Sequence, residues 1–262
     1  MIAFLIIHGR RSEGGRGLFI FVISVFVIGW TFETVSVLTG FPFGNYHYTE
    51  IMAPFLGHVP IFVMPAYCIM GYVCWSLARI LLCCVNDPSD TIMRYGVPVA
   101  AALLMVLWDA SMDPLRATVE GRWIWLDGGP HFGVPLVNYF GWFCVTWMMF
   151  QLFSILRERV ASAVPHNQQI SSRLFWVPVP LMYLAFPVEY VLNPLVAGSR
   201  AEAVLVNGAS VPVAGIYSDI SMLTVLTMVP VAVVAVFQLL RPRTLLLQTS
   251  RQDTGSFARR RP

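Results

Sequence analysis

Two aspartates stand at the end of an apolar stretch of the chain. The segment WDASMDP, residues 108–114, closes that stretch and carries Asp109 and Asp113. Because they are four residues apart, a helix places both carboxyl groups on one face, with Cβ atoms about 5–6 Å apart. Two like charges so close in a low dielectric do not both form readily, so one carboxyl group is expected to keep its proton and can act as a general acid. Alternatively, one aspartate pairs with Arg116 or Arg122 and only fixes the helix end.

Three other acidic residues also fall within or beside apolar segments, namely Glu33, Glu189 and Asp219. An acidic side chain at the centre of a bilayer costs roughly 2.5–3.5 kcal/mol on insertion scales. Glu33, Asp109 and Glu189 are therefore predicted to face a protein interior or a wet cavity. Asp113 and Asp219 lie near the ends of their apolar segments, where the cost is smaller, so each carries less weight by itself.

The composition is that of an integral membrane protein. Hydrophobic residues make up 57% of the 262 residues and charged residues 12%, with a mean hydropathy of +0.68. A helix needs about 20 mostly apolar residues to cross a bilayer, and six windows qualify: 17–39, 59–84, 94–113, 134–156, 174–197 and 217–240. We predict an all-α, polytopic bundle of six transmembrane helices over residues 1–243. An Arg-rich, disordered tail is predicted at 244–262.

The basic residues predict the topology. All 17 are arginine, which excludes a Schiff-base mechanism because that chemistry needs lysine. Fourteen lie at the N-terminus, in or beside the connections after the second and fourth windows, and in the tail. Because cytoplasmic segments carry the excess of positive charge, both termini are predicted to be cytoplasmic, in a bacterial cytoplasmic membrane. The positive charge then reflects membrane topology, not nucleic-acid binding.

Two connections on the outer side are unusually rich in Gly, Pro and aromatic residues. They are GFPFGNYHYTE, residues 40–50, and GRWIWLDGGPHFGVPLVNYFGW, residues 121–142. Long ordered loops of this kind often form lids or the walls of a site. The alternatives are an interfacial aromatic belt for the Tyr and Trp residues and a simple helix–helix hydrogen bond for Asn138. The predicted substrate-binding residues are Tyr46, His47, Trp108, Trp123, Trp125, His131, Asn138 and Trp142.

No metal or redox motif accompanies these residues. The histidines are isolated, with no HxxxH or HExxH spacing, and the five cysteines include no CxxC pair. A mixed site of histidine and carboxylate ligands is a minor alternative. We predict that the protein uses neither a metal nor a cofactor.

The chain resembles the membrane carotenoid-biosynthesis proteins that include bisanhydrobacterioruberin hydratase and the γ-carotene hydratases. The resemblance covers roughly residues 30–145. It rests on GFPFGNYHYT after a helix with Glu33, on WDASMDP, on GRWIW and on HFGVPLVNYFGWF.

This resemblance implies addition of water to the terminal double bond of an acyclic carotenoid or related polyprenyl substrate, giving a tertiary alcohol. Membrane lipid and other carotenoid-biosynthesis enzymes are the further partners it implies. The chemistry needs a neutral carboxylic acid, a nearby carboxylate and aromatic faces to stabilise a cation, and a base to orient water. We predict Asp109 as proton donor, Asp113 as the group that holds its protonation state, and Glu33 near the water, with Glu189 a further candidate base or cation stabiliser.

Three other functions use the same residues. A transporter or flippase would relay protons or bind a cation through them, and it predicts a polar path through both leaflets. A non-catalytic carotenoid-binding partner predicts that neutralising Asp109 changes no product. An isomerase or cyclase of prenyl lipids would use the same acid but exclude water.

Overall fold

The computed structural model describes residues 1–85, 91–161, 173–196 and 203–241. Within these ranges the helices are α1 (Ile2–Thr39), α2 (Val63–Leu81), α3 (Val97–Asp113), α4 (Leu136–Ala161), α5 (Arg173–Trp176), α6 (Pro178–Val196) and α7 (Val213–Leu240). Six helical stretches there are long and apolar enough to cross a membrane, with α5 and α6 forming one of them. The predicted all-α bundle of six transmembrane helices is confirmed, whereas the predicted tail and its boundary at residue 243 lie outside the described residues.

The first helix begins earlier than predicted, at Ile2 instead of residue 17. Its path is broken at Gly14, which has φ 74° and ψ 167°. A Cβ atom on Gly9 would lie 2.8 Å from Leu18 Cδ1, although nine residues of straight helix would separate these positions by about 13 Å. The segment before Gly14 therefore folds back on the rest of α1, which a glycine allows because it adopts positive φ without a steric penalty.

Four helices form the centre of the bundle. α1 packs against α2 and α4, and α3 packs against the same two neighbours, while α6 and α7 pack together on the side of α2 and α3. The ring of Phe21 in α1 meets the rings of Tyr72 in α2 and Phe153 in α4 edge to face. This aromatic layer is fully buried.

Three short antiparallel strand pairs lie in the connections at one end of the bundle, which we call the sheet end. β1 (Tyr46–Tyr48) pairs with β4 (Trp123–Trp125), β2 (Phe55–Leu56) with β3 (Val59–Pro60), and β5 (Ala203–Val206) with β6 (Ala209–Pro212). Asn207 and Gly208 turn the last pair with positive φ at both residues. Asn207 also exchanges hydrogen bonds with the backbone of Gly129, so this hairpin is attached to the connection before α4.

The opposite end of the bundle holds a buried ionic cluster. The carboxylate of Glu13 is fully buried and forms ion pairs with Arg79 of α2 and Arg157 of α4. Arg79 also lies over the ring of Trp176 in α5. Glu13 thus fastens the folded-back N-terminal segment to α2 and α4, and Arg79 connects this cluster with α5.

Candidate active site

The site begins with the pairing of β1 and β4, which covers the sheet end. Tyr46 lies opposite Trp125, and Tyr48 lies opposite Trp123. Because side chains alternate along a strand, these four aromatic residues point to one side of the ribbon. His47 and Ile124, between them, point to the other side and are exposed. We call this strand pair the aromatic lid.

Beneath the aromatic lid is a cavity of about 290 Å³. It lies among the ends of α1, α2, α3 and α4, with α6 contributing at one edge. The residues that line it are Glu33, Phe43, Tyr46, Tyr48, Met52, Phe62, Val63, Ala66, Tyr67, Trp108, Asp109, Met112, Asp113, Arg116, Arg122, Trp123, Trp125, Asn138, Trp142 and Phe186. The cavity therefore combines an aromatic wall with three acidic side chains.

Glu33 accepts hydrogen bonds from tyrosine hydroxyls on both of its oxygens. Tyr46 and Tyr48 of the aromatic lid donate to Oε2, at 2.5 and 2.8 Å. Tyr67 of α2 donates to Oε1 at 2.5 Å. Burial, and then the nearby Glu33 carboxylate, raise the pKa of Tyr46 and Tyr48 well above the ordinary value of a phenol. Both lid tyrosines therefore remain O–H donors at neutral pH.

Asp109 and Asp113 share the side-chain amide of Asn138. Asn138 Nδ2 donates to Asp109 Oδ2 at 2.9 Å and to Asp113 Oδ2 at 2.8 Å. The other oxygen of Asp113, Oδ1, accepts from the indole N–H groups of Trp123 at 2.8 Å and Trp125 at 3.2 Å. A π-helical segment, Pro114–Val119, follows Asp113 directly, and such segments are frequent at functional sites.

The three carboxyl groups differ in the number of donors that reach them. Among the described residues, Glu33 and Asp113 each receive three hydrogen bonds, whereas Asp109 receives only the one from Asn138. Hydrogen bonds to a carboxylate stabilise its charged form. Asp109 is consequently the group among the three that is least supported as an anion, although it is as fully buried as the others.

Neither aspartate forms an ion pair with an arginine within the part of the chain described. Arg116 instead binds Glu120 and Glu189, the latter at 2.5 Å, and Arg122 binds Glu120. The alternative in which an aspartate only fixes the end of α3 through Arg116 or Arg122 therefore finds no contact here.

Aromatic rings surround the acidic groups. Tyr67 stacks on Trp142 with ring centroids 4.8 Å apart. Trp108 meets the edges of Trp142 and of Phe186, at 5.9 and 5.8 Å. The faces of such rings attract a cation.

The structure brings most of the predicted site residues together in this cavity. Those that line it are Glu33, Tyr46, Trp108, Asp109, Asp113, Trp123, Trp125, Asn138 and Trp142. Four of the polar residues considered above lie elsewhere: His47 on the outer face of the lid, His131 bound through Nε2 to the carbonyl of Ala110, Glu189 in its ion pair, and Asp219 exposed in the first turns of α7.

Several lining residues were not singled out from the sequence, and two of them, Tyr67 and Phe186, contact the predicted site residues directly. Tyr67 gave a signal, because it places a hydroxyl group within the apolar run of α2. Phe186 gave none, since an aromatic residue in an apolar helix is most simply read as lipid-facing or core. Within the described residues no three His, Cys, Asp or Glu side chains are grouped so as to hold a metal ion.

Comparison with known proteins identifies the class. The sequence model of the carotenoid biosynthesis protein family matches residues 1–211, and the chain belongs to that family. With its six apolar helices, it is an integral membrane protein of carotenoid biosynthesis.

One relative is bisanhydrobacterioruberin hydratase of Haloarcula japonica, which is 29% identical over 170 residues. The match covers 62% of this chain and 56% of that protein, so the chain spans little more than half of the relative's length. No solved structure matches this chain.

Proposed function

We propose that this protein adds water to the terminal double bond of an acyclic carotenoid end and produces a tertiary alcohol. The observation that carries the proposal is the unequal hydrogen bonding of three carboxyl groups in one aromatic cavity. Membership of the carotenoid biosynthesis family and the hydratase relative support the same substrate class.

Asp109 is the proton donor in this mechanism. Glu33 and Asp113, with three donors each, are the carboxyl groups best held as anions. Two negative charges nearby and a single hydrogen bond of its own favour a proton on Asp109. Asn138 holds both aspartates through one amide group, so it fixes the position of the acid relative to the anion.

Protonation of the alkene forms the reactive intermediate. The proton of Asp109 adds to the less substituted carbon of the terminal double bond, and the electron pair of the π bond forms the new C–H bond. The other carbon becomes a tertiary cation. The carboxylates of Glu33 and Asp113 stabilise that charge electrostatically, and the rings of Trp108, Trp142 and Tyr67 do so through their faces.

Water then captures the cation. Its oxygen forms the new C–O bond, and the resulting oxonium group loses a proton to the Asp109 carboxylate, which restores the acid. In this scheme Glu33 does not take up the proton, since its oxygens already accept hydrogen bonds from Tyr46, Tyr48 and Tyr67. It acts as a fixed negative charge.

The cavity fits one end of the substrate. Its volume of about 290 Å³ is at the lower limit of the roughly 300–1,000 Å³ of small-molecule sites, so a long polyene cannot lie inside it entirely. One edge is apolar. It is formed by Phe62, Val63 and Ala66 at the start of α2 and by Phe186 of α6. A carotenoid in the lipid would insert its end group across this edge and leave the rest of its chain in the bilayer.

Transport through the bundle is less well supported. In the described residues, the cavity and the buried cluster of Glu13 at the opposite end are separated by the aromatic layer of Phe21, Tyr72 and Phe153. A transporter or flippase requires a polar path through both leaflets, and these packed rings leave little room for one between α1, α2 and α4.

The test is expression in a bacterial host that accumulates lycopene, followed by mass spectrometry of the pigments. The wild-type protein is expected to yield a species heavier by one water. Asp109→Asn removes the acid and should abolish that species. Asp219→Asn, the same chemical change at an exposed position of α7, should leave it unchanged. The proposal fails if the wild-type protein is present in the membrane yet hydrates neither lycopene nor a longer acyclic carotenoid, or if Asp109→Asn still forms the alcohol.

A further inference from the structure

One part of the cavity wall is charged instead of aromatic. Arg116 and Arg122 line the cavity, and Glu120 joins them, because Arg116 Nη1 contacts its Oε1 and Arg122 Nε contacts its Oε2. Arg116 Nη2 also binds Glu189 Oε1 at 2.5 Å. We call these four residues, Arg116, Glu120, Arg122 and Glu189, the ionic rim.

The ionic rim connects the cavity with the exterior. Its side chains are 18, 27, 40 and 37% exposed in the order just given, whereas Asp109 and Asp113 beneath it are 1% exposed. Partly exposed charged groups retain water because removing it from an ion costs several kcal/mol or more. This edge of the cavity is therefore its wet edge.

The wet edge and the apolar edge are built from different elements. Arg116, Glu120 and Arg122 belong to the segment between α3 and β4, whereas Phe62, Val63 and Ala66 belong to the start of α2. An apolar carotenoid end is stabilised by apolar side chains and not by ion pairs, whereas water is stabilised by the charged groups and not by phenyl and methyl groups. The two reactants thus have separate entrances.

Arg122 has N–H donors that can bind a water molecule. Within the described residues its ion pair with Glu120 uses Nε, at 2.5 Å, and no hydrogen bond there involves Nη1 or Nη2. Five N–H donors are available on a guanidinium group, so the terminal nitrogens can hold water at the cavity wall.

We propose that the ionic rim, and Arg122 in particular, admits and positions the water that captures the cation, and thereby decides which product forms. This inference rests on the proposed hydratase function. With water present, the cation gains a C–O bond and the oxonium proton passes to the Asp109 carboxylate. Without water, the same carboxylate can only remove a proton from a carbon next to the cationic centre. That step returns the original alkene or yields its isomer with a terminal methylene group, at unchanged mass.

The experiment separates proton transfer from water capture. Purified wild-type protein and variants are reconstituted in liposomes that contain lycopene, and the reaction is run in D₂O. Each protonation adds one deuterium, which stays in the methylene isomer and in alkene that re-forms by losing the other hydrogen. Deuterium in recovered alkene therefore reports the acid step, and alcohol reports the capture of water. Both are measured by mass spectrometry, and the methylene isomer by chromatography.

Arg122→Met keeps much of the apolar stem and removes the charge and the N–H donors. The ratio of alcohol to deuterated alkene should fall about tenfold or more, the effect of losing one hydrogen bond from a charged donor, with deuterium incorporation maintained. Arg122→Lys keeps a hydrated charge and should restore much of the ratio. Arg94→Met, at an exposed arginine at the opposite end of the bundle, should match the wild type. If Arg122→Met is not recovered as folded protein, Arg122→Gln serves for the same comparison.

The other outcomes overturn the inference. An unchanged ratio in the neutral variant, Arg122→Met or its substitute Arg122→Gln, shows that the capture of water does not depend on Arg122. Alcohol and deuterium that fall together show that the ionic rim supports only the fold or the acid. If the wild-type protein itself produces neither alcohol nor deuterated alkene, the hydratase proposal has failed, and not the role of the rim alone.

Discussion

Glu33 is held by three phenolic hydroxyl groups that come from two different elements, β1 and α2. Each donor stabilises the negative charge on Glu33, and in the proposed mechanism that charge stabilises the cation. The number of donors on Glu33 therefore sets how strongly the site favours the charged intermediate over the neutral alkene. A phenol is also a weak acid that keeps its proton when buried, so it can supply a hydrogen bond without competing for the role of Asp109.

Tyr67→Phe tests this relation at a single atom. The change removes the donor to Glu33 Oε1 and keeps the ring that stacks on Trp142, so the rate of hydration should fall about tenfold or more. Tyr183→Phe is the matched control, because Tyr183 is also buried but donates to the carbonyl of Leu104 away from the cavity. It should lower thermal stability without changing the rate per folded molecule. Equal rate losses in both variants, measured as alcohol formed by reconstituted protein, would contradict this role of Tyr67.

The aromatic lid is positioned by the close approach of α4 to the connection that follows α1. Gly141 makes this approach possible, since a Cβ atom there would lie 2.6 Å from the carbonyl oxygen of Pro42 and 2.9 Å from Phe43 Cδ1. The same connection leads directly into Tyr46 and Tyr48. The distance of the lid from the cavity is thus set by a contact between a helix and a loop, as well as by its own strand pairing.

Gly141→Ala should separate these two elements. Overpacking of this kind costs about 1–3 kcal/mol, and the shift of the connection should weaken the hydrogen bonds of Tyr46 and Tyr48 to Glu33 and lower the hydration rate. Gly215→Ala in α7, where nothing beyond the adjoining helix backbone lies within 4 Å of the added Cβ, should be neutral or stabilising because alanine favours a helix. Thermal unfolding in detergent and alcohol formation measure the two effects, and a Gly141→Ala protein with wild-type stability and rate would refute this account of the lid.

The sequence predicted the residues of the lid better than their arrangement. The alternation in Tyr46–His47–Tyr48 and Trp123–Ile124–Trp125 is visible in the printed chain, but the pairing of the two triplets is a contact between distant segments that no local pattern specifies. His47 was therefore placed among the substrate-binding residues although the strand turns it outward. The hairpin at Asn207–Gly208 did have a local signal, because Asn-Gly between alternating residues is typical of a tight turn.

The buried carboxyl groups illustrate the same limit. The spacing of Asp109 and Asp113 predicted that they share a face of α3, and the cost of burying them predicted a polar environment. The donors that reach these two carboxyl groups depend on how α4 and β4 pack. The sequence therefore predicted a polar contact between helices for Asn138, but not that its amide group is shared by both aspartates. The cost of burying an acidic side chain also predicted a polar environment for Glu189. Its partner is Arg116, and its side chain does not line the cavity.

At the scale of the whole molecule, the distribution of arginine predicts that both termini are cytoplasmic, which would place the aromatic lid on the outer side. A green fluorescent protein fused to the C-terminus should fluoresce in a bacterial host, because it matures in the cytoplasm. Alkaline phosphatase fused at the same position should be inactive, since it needs the oxidising exterior to form its disulfides. The reverse pattern, an active phosphatase and a dark fluorescent fusion, would invert the topology and move the site to the inner leaflet.

The ionic cluster around Glu13 bears on how the chain is assembled as it leaves the ribosome. Glu13 is made early, but its partners are Arg79 in the second membrane helix and Arg157 at the end of α4. An unpaired carboxylate is costly to bury, so this segment can be buried only after the second membrane helix supplies Arg79, and its set of ion pairs is complete only after the fourth transmembrane helix supplies Arg157. The segment around Glu13 should therefore become protected from protease only after both of these helices have been inserted, although it is translated before them.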